Sequence, residues 1–329
     1  MSYLKFIIMG QKKMPKIAVV GRGVIGLTTA ELLLDAGYQV HILAKDDLPY
    51  TSSMGAGAYW WPHKAYPPDL VARWSGFSYN RYRDIAKIPG SGINMHTHFR
   101  YCVKDDETRY ALELTDKWSM IDQNDVDFKI TEAFQCVVPL IDVPVYMPWL
   151  LSRVLEKGAE LLVHELASIS DVPVDYDIII NCSGLGAKTL VNDSSVFPIR
   201  GQIVRLERPE HINNSYRVVH EPPGLTLILP RSGDLLLGGT TSDSDFNTDP
   251  SDDDTQEIIN RCARVLPELK NLKVLGSQAA LRPGRETVRL EAEFLKNGKV
   301  LIHNYGHGGS GYTIGYGCAN DVLEIVNGL

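Results

Sequence analysis

The chain has 329 residues, 44% hydrophobic and 22% charged, with a formal net charge of −7. Scattered basic residues on an acidic background exclude an electrostatic footprint for nucleic acid. No run reaches the roughly 18 apolar residues of a membrane span, and the length allows one or two hydrophobic cores. Five cysteines without a Cys-x-x-Cys pair, and nine histidines without His-x-x-x-His spacing, argue for reduced thiols, a cytoplasmic setting and no metal.

In chain order, "MSYLKFIIMGQKKM" (1–14) has a short apolar patch but no small-residue cleavage site, so it is read as an N-terminal extension outside the core. "KIAVVG" (16–21) is a β-branched strand, "VIGLTTAELLLDAGY" an amphipathic helix closed by Gly37, and "QVHIL" (39–43) the next strand. That is a βαβ unit. Its turn reads Gly21-Arg22-Gly23-Val24-Ile25-Gly26, a G-x-G-x-x-G after a strand and before a helix, and it predicts a dinucleotide. Gly21 makes the tight turn, Gly23 lets backbone approach a pyrophosphate, and Gly26 lets helix and strand pack closely. The helix N-terminus then offers N–H donors to phosphate.

From 66 to 149 the sequence reads as loops and short strands rich in Trp and Tyr. "MPWLLSRVLEKGAEL" (147–161) reads as an amphipathic helix ending at Gly158, followed by the strand "ELLVHEL" and the continuously apolar "YDIIINCSG" (176–184), the pattern of a buried parallel strand. Residues 201–245 read as antiparallel strands, and "DPSDDDTQEIINRCARVLPEL" as a helix with acids in its first turn. "KVLIHN" and "GHGGSGYT" (306–313) then place a second glycine-rich turn between a strand and a helix, far from the first.

Taken together, "VVGRGVIGL", "TSSMGAGAYWWP", "MPWLLSRVLEKG", "INCSGLGA", "PIRGQIVRL", "LRPGRETVRLE" and "HNYGHGGSGYT" resemble the FAD-dependent D-amino acid oxidases, D-aspartate oxidases included, over nearly the whole chain from Lys16. The resemblance implies an α/β fold (α+β overall) in which a Rossmann-like FAD-binding domain, 15–65 with 147–200 and 271–329, is interleaved with a mostly antiparallel substrate domain, 66–146 with 201–270. It implies non-covalent FAD held by Gly21, Gly23, Val24, Ile25 and Gly26, and by Thr51, Ser52, Ser53, Gly57, Ala58 and Tyr59. Leu166 and Ser183 fall at the adenosine end, and Gly308, Gly309, Ser310, Gly311, Tyr312 and Thr313 at the flavin. At the ribose the family's acidic position falls on Lys45, whereas spacing from Gly26 favours Asp46.

Arg282, in "LRPGR", matches the family's carboxylate-binding arginine, whose planar fork suits bidentate pairing. Leu227 and Pro223 stand where the vertebrate members carry pocket tyrosines. With Gly309 they are expected near the reacting centre, and Tyr216 or Tyr59 is a candidate for the missing hydroxyl. Trp60 and Trp61 could wall an apolar pocket, and Leu227 and Pro223 in place of tyrosines add apolar surface, which predicts a preference for bulky apolar D-amino acids. The implied activity converts a D-amino acid and O2 to a 2-oxo acid, ammonia and peroxide. The partners are these small molecules, with no nucleic acid or membrane and with homo-oligomer formation allowed. The C-terminal Asn-Gly-Leu is not a peroxisomal Ser-Lys-Leu address. Alternatives are an oxidase of another amine, an acidic D-amino acid or glycine, an NAD-dependent dehydrogenase, and a flavin-binding protein without activity.

Overall fold

The computed structural model describes residues 14–104, 106–122, 126, 128–219 and 224–329; residues 1–13 of the expected extension, and Pro223, lie outside these. The chain opens with β1 (Lys16–Val20), α1 (Val24–Asp35) and β2 (Gln39–Ala44), then runs through β3 (Ala58–Tyr59), α2 (Pro68–Ile85) and β4 (Ile93–Cys102). β5 (Trp118–Met120), β6 (Glu132–Ile141), α3 (Val143–Glu156), β7 (Glu160–Val163), β8 (Ile178–Asn181) and α4 (Ala187–Leu190) follow. Next come β9 (Phe197–Leu206), β10 (Ser215–Val219), β11 (Thr226–Pro230), β12 (Leu235–Gly238), β13 (Ser242–Asp243) and α5 (Asp252–Cys262). β14 (Val274–Gly284), β15 (Arg289–Phe294), β16 (Val300–Tyr305) and α6 (Gly311–Asn327) complete the chain.

Two sheets organise the molecule. The first has the order β15-β16-β8-β1-β2-β7 and is parallel except for β15. Its central strands β1 and β8 are apolar on both faces over most of their length, Ile17–Val20 and Ile178–Ile180, because both faces are covered. Ile17, Val19 and Ile180 pack under α1, α3 and α6, while Ala18, Val20 and Ile179 pack on the other side with Val172 and Tyr176. The second sheet has the order β13-β9-β12-β11-β10-β4-β6-β3, with β14 along β9 and β5 beside β6. It is antiparallel apart from the β4–β10 pair.

Several elements differ from the sequence expectation. α2 is a helix of 18 residues where loops were expected. Its buried face, Val71, Trp74, Ser75, Ser78, Tyr82 and Ile85, has helical spacing, but serines and tyrosines blur the apolar signal. α2 packs on α6, with Trp74 against Ile314 and Cys318, so it lies against the nucleotide-side helices although it falls in the expected substrate segment. α3 starts at Val143, earlier than expected, because proline is tolerated in a first helical turn that has no N–H partners to lose. β3 and β14 belong to the second sheet, although both fall in segments expected for the nucleotide domain. β14 follows the full length of β9, and that pairing carries Arg282 away from the first sheet.

Candidate active site

A cavity of about 1000 Å³ lies between the carboxyl ends of β1, β2 and β8 and one face of the second sheet. That is the top of the ~300–1,000 Å³ range of ligand pockets, at the strand ends where open parallel sheets bind their ligands.

The first glycine turn forms one end. Gly21 has φ +110, and a Cβ there would sit 2.6 Å from the Cys182 carbonyl oxygen of the neighbouring strand. A Cβ on Gly26 would meet the Gly21 oxygen at 2.0 Å, which is the helix–strand contact expected of it. Gly21, Gly23, Val24 and Ile25 line the cavity, and Gly26 lies beneath. Gly23 is the N-cap of α1 and brings no side chain to the helix end, while the Val24 N–H donates to Ser53 Oγ at 2.9 Å. Lys45, Asp46, Thr51, Ser52, Ser53, Gly57, Ala58, Tyr59, Leu166 and Ser183 also reach the cavity. Lys45 lies 3.8 Å from Glu165, so its ammonium has a carboxylate partner at the rim. Cys182 is buried, and burial pushes its thiol up to about 12, which leaves it inert packing.

The second glycine turn forms the adjoining wall, for a reason the sequence did not show. Gly308 has φ +55, and a Cβ there would lie 1.9 Å from the Lys64 carbonyl oxygen; at Gly309 it would lie 2.5 Å from the His63 ring. What crosses the turn closely is a strap of backbone from Trp60 to Lys64. Ser310 grips that strap. The His63 N–H donates to Ser310 Oγ at 2.7 Å, and the Ser310 hydroxyl donates to the His63 carbonyl at 2.8 Å. Thr313 treats Trp61 the same way, at 3.2 and 2.9 Å. Ser310 was expected at the flavin; it is fully buried behind the strap and does not line the cavity, whereas Gly308, Gly309, Gly311, Tyr312 and Thr313 do. A Cβ on Gly311 would be in ordinary contact, 3.6 Å, with Val24, so the starts of α6 and α1 meet here. Tyr312 ties them to the intervening loop by donating to the Ser53 carbonyl at 2.9 Å.

The floor is a single row across the second sheet. Ile203 stands opposite Gly238, Gly238 opposite Leu227, Leu227 opposite Arg217, and Arg217 opposite Arg100. All five line the cavity. Neighbours one residue along each strand point the other way, because side chains alternate across a pleated sheet. Tyr216 is one of these. It stacks on Phe99 with ring centroids 5.4 Å apart, in the core beneath α5, so it does not supply the missing hydroxyl. Tyr59 lines the cavity, packed on the buried His98 ring at 4.9 Å. The wall residue Trp61 donates from its indole to Thr108 Oγ1 at 2.6 Å, and the Arg100 guanidinium lies 4.3 Å over its ring. Arg100 and Arg217 escaped the sequence reading. Once Leu227 is placed in the pocket, its strand partners must be there too, but that register is invisible without the fold.

Arg282 reaches in from β14 across Gly201, donating from Nη1 to the Arg200 carbonyl at 3.2 Å. Burial pulls its guanidinium down to about 10, with Asp243 acting in the opposite direction. No described carboxylate lies within ion-pair distance of it. His63 is held well below the usual histidine range by burial and then by Arg282, Arg217, Lys64 and Arg100, so it is neutral. Its Nε2 is buried and has no partner among the described residues. Burial alone takes His307 down to about 3.

Two helix N-termini with glycine backbones at one end of a long cavity that also holds a buried guanidinium define a dinucleotide-binding enzyme site. The family described as FAD dependent oxidoreductase (DAO) matches residues 16–325, and the chain belongs to it. A D-amino-acid oxidase of Rubrobacter xylanophilus is 34% identical over 311 residues, 94% of this chain and 95% of that protein. A D-amino-acid oxidase of Dictyostelium discoideum is 34% identical over 95% of this chain and 92% of that one. Glycine oxidase from Geobacillus kaustophilus shares the fold, with a TM-score of 0.78 at 18% identity over 95% of both chains. FAD is the cofactor, and the protein is an FAD-dependent oxidoreductase. The cavity fits it. The glycines leave backbone bare where phosphates approach α1, and α6 brings a second N-terminus without a side-chain cap. No described helix is long and apolar enough to cross a membrane.

Proposed function

We propose that the protein oxidatively deaminates D-amino acids to 2-oxo acids and ammonia, passing the electrons to O2 to give peroxide. The observation that carries this is Arg282, a guanidinium without a carboxylate partner among the described residues, in the same cavity as the cofactor cradle. Bound FAD would supply the hydride acceptor for the Cα–H bond, and the chain's own groups orient the substrate. Arg282 takes the α-carboxylate in its fork, fixing the direction of the Cα–H bond. The neutral His63, with Nε2 unpartnered among the described residues, offers one ring nitrogen for a hydrogen bond to the substrate. The strap held by Ser310 and Thr313 keeps Trp61 and His63 against the pocket and shields the reacting centre from water. Gly21, Gly23, Val24, Ile25 and the 51–53 loop hold the ADP half of the cofactor, Asp46 its ribose, and the 308–313 turn its flavin. The described cysteines are all buried free thiols, which supports a reducing, cytoplasmic setting, and the proposed activity itself would belong to D-amino acid catabolism.

The test is anaerobic bleaching of the flavin, followed by peroxide release in air, across paired D- and L-amino acids and glycine. Bleaching by D- but not L-enantiomers is the expected result. Bleaching by glycine alone, or by no amino acid, overturns the reading.

Gly201 gives a narrower check. A Cβ there would fall 2.2 Å from both terminal nitrogens of Arg282, so Gly201→Ala must displace the guanidinium while leaving β9 intact. A hydrogen bond to a charged group is worth about 1.5–3 kcal/mol. KM for the best amino acid is therefore expected to rise about tenfold or more, with flavin content unchanged. An unchanged KM would show that Arg282 does not bind from this position.

A further inference from the structure

We infer that Thr108 is a positioning residue for the substrate pocket: its hydroxyl fixes the indole of Trp61, and with it the length of substrate side chain that the pocket accepts. This rests on the reading of the cavity as an amino-acid oxidase site.

Trp61 is held by two separate parts of the chain. Its backbone N–H and carbonyl both pair with the Thr313 hydroxyl of α6, at 3.2 and 2.9 Å. Its ring is held by the loop that follows β4. The indole Nε1 donates to Thr108 Oγ1 at 2.6 Å, and the Arg100 guanidinium lies 4.3 Å over the ring face. Thr108 Oγ1 also accepts from Arg100 Nη2 at 3.1 Å, and it donates to Asp106 Oδ1 at 2.7 Å. Those contacts use all that a hydroxyl has, one proton and two lone pairs.

The direction of each bond is forced. An indole N–H and a guanidinium only donate, so both need lone pairs, and the hydroxyl proton must go to an acceptor. Asp106 is that acceptor. Burial pushes its carboxyl up, but the Arg100 guanidinium, 2.5 Å away at Nε, and the Thr108 donors outweigh burial and hold it below the usual range, ionised. Asp106 therefore sets the hydroxyl, and the hydroxyl sets the ring.

The floor row runs from β9 to β4. Arg282 lies over Gly201 on β9, and Trp61 stands with Arg100 of β4, where both line the cavity. A substrate carboxylate on Arg282 sends its side chain along that row toward the indole. Without Thr108 Oγ1 the indole N–H would be buried and unpartnered, which is costly. With its backbone still tied to Thr313, the ring can regain a partner only by turning its N–H toward water in the cavity. The pocket then shortens, and long side chains suffer more than short ones.

The experiment compares kcat/KM for D-Ala, D-Met and D-Phe on the flavin-loaded protein. Thr108→Val, similar in shape but without the hydroxyl, should lower D-Phe relative to D-Ala by about tenfold or more, chiefly through KM. Thr108→Ser, which keeps the hydroxyl, should retain the parent's profile. The valine also deprives Arg100 and Asp106 of a partner, a loss that falls on all substrates alike, and Trp61→Phe separates the two effects. It has no N–H to hold, so adding Thr108→Val to it should leave the D-Phe to D-Ala ratio unchanged. Independently of turnover, Thr108→Val should raise the concentration of 3-phenylpropionate needed to perturb the flavin spectrum about tenfold more than that of propionate. An equal loss across the series, no loss, or a further change of the ratio in the double variant would overturn the inference and leave the D-amino acid reading in place. If no D-amino acid is oxidised, the proposed function falls instead, and the two carboxylates still decide the role of Thr108.

Discussion

Arg282→Leu is expected to lower kcat/KM for amino acids by about thirtyfold or more while the protein keeps its flavin. Among the described residues the guanidinium makes one hydrogen bond, to the Arg200 carbonyl, and no described carboxylate neutralises it. Its removal therefore takes little from the folded state and relieves a buried charge, so the melting temperature should hold or rise. The substrate carboxylate, in contrast, would enter the cavity without its anchor. Removing one partner of a desolvated, hydrogen-bonded charge pair costs about 2–5 kcal/mol, or roughly 30- to several-thousandfold. Arg282→Lys should recover part of the loss, because an ammonium supplies the charge but not the planar fork that fixes orientation. Steady-state kinetics on the best substrate, with flavin absorbance and thermal melting as controls, checks all three. A fall of less than tenfold in the leucine variant would move the carboxylate anchor elsewhere, with Arg217 the next candidate.

How much of this was legible depends on whether the information is local. The turn from Gly21 to Gly26 is: strand, glycines and helix are consecutive, and each glycine has a neighbour a Cβ would strike. The second glycine turn was legible as a site but not as a mechanism. Its glycines make room for the Lys64 carbonyl and the His63 ring, which reach it from a segment more than two hundred residues earlier in the chain. Ser310 shows the same gap, since its hydroxyl is paired with a backbone that the sequence could not bring to it. The floor was least legible. "SYRVV" alternates, but which of Tyr216 and Arg217 faces the cavity depends on register with β11 and β4, and the β4 partner is remote in sequence. One step of register exchanges the two faces. Reading Tyr216 as the pocket residue was that error of one position. The division into domains was blurred for a related reason: the 271–329 segment supplies β14 to the second sheet before it returns to the first.

Gly23→Val is expected to give folded, colourless protein. At the N-cap of α1, Gly23 has φ −68 and ψ −179, extended backbone that valine adopts readily, so the substitution introduces no backbone strain. The obstruction is one of space. A Cβ would lie 3.0 Å from Ser53 Oγ, which the Val24 N–H holds in place at 2.9 Å. The two further methyl carbons must then project where the pyrophosphate meets the helix N-terminus, or push the 51–53 loop aside. Either outcome takes away backbone N–H groups and a favourable helix dipole from two negative phosphates. Because a ligand stabilises the folded state in proportion to the logarithm of its concentration over Kd, the variant should also melt lower than the flavin-loaded parent, by the margin that added FAD gives the parent. Far-UV circular dichroism should be unchanged, and titration with free FAD should not restore the flavin absorbance. Gly23→Ala, with a single carbon that a few tenths of an ångström in Ser53 can accommodate, should fall between the two, with weakened but measurable binding. Full flavin content in the valine variant would mean that the cofactor's phosphates do not approach α1 at Gly23, and the cradle would have to be redrawn around the 51–53 loop and the N-terminus of α6.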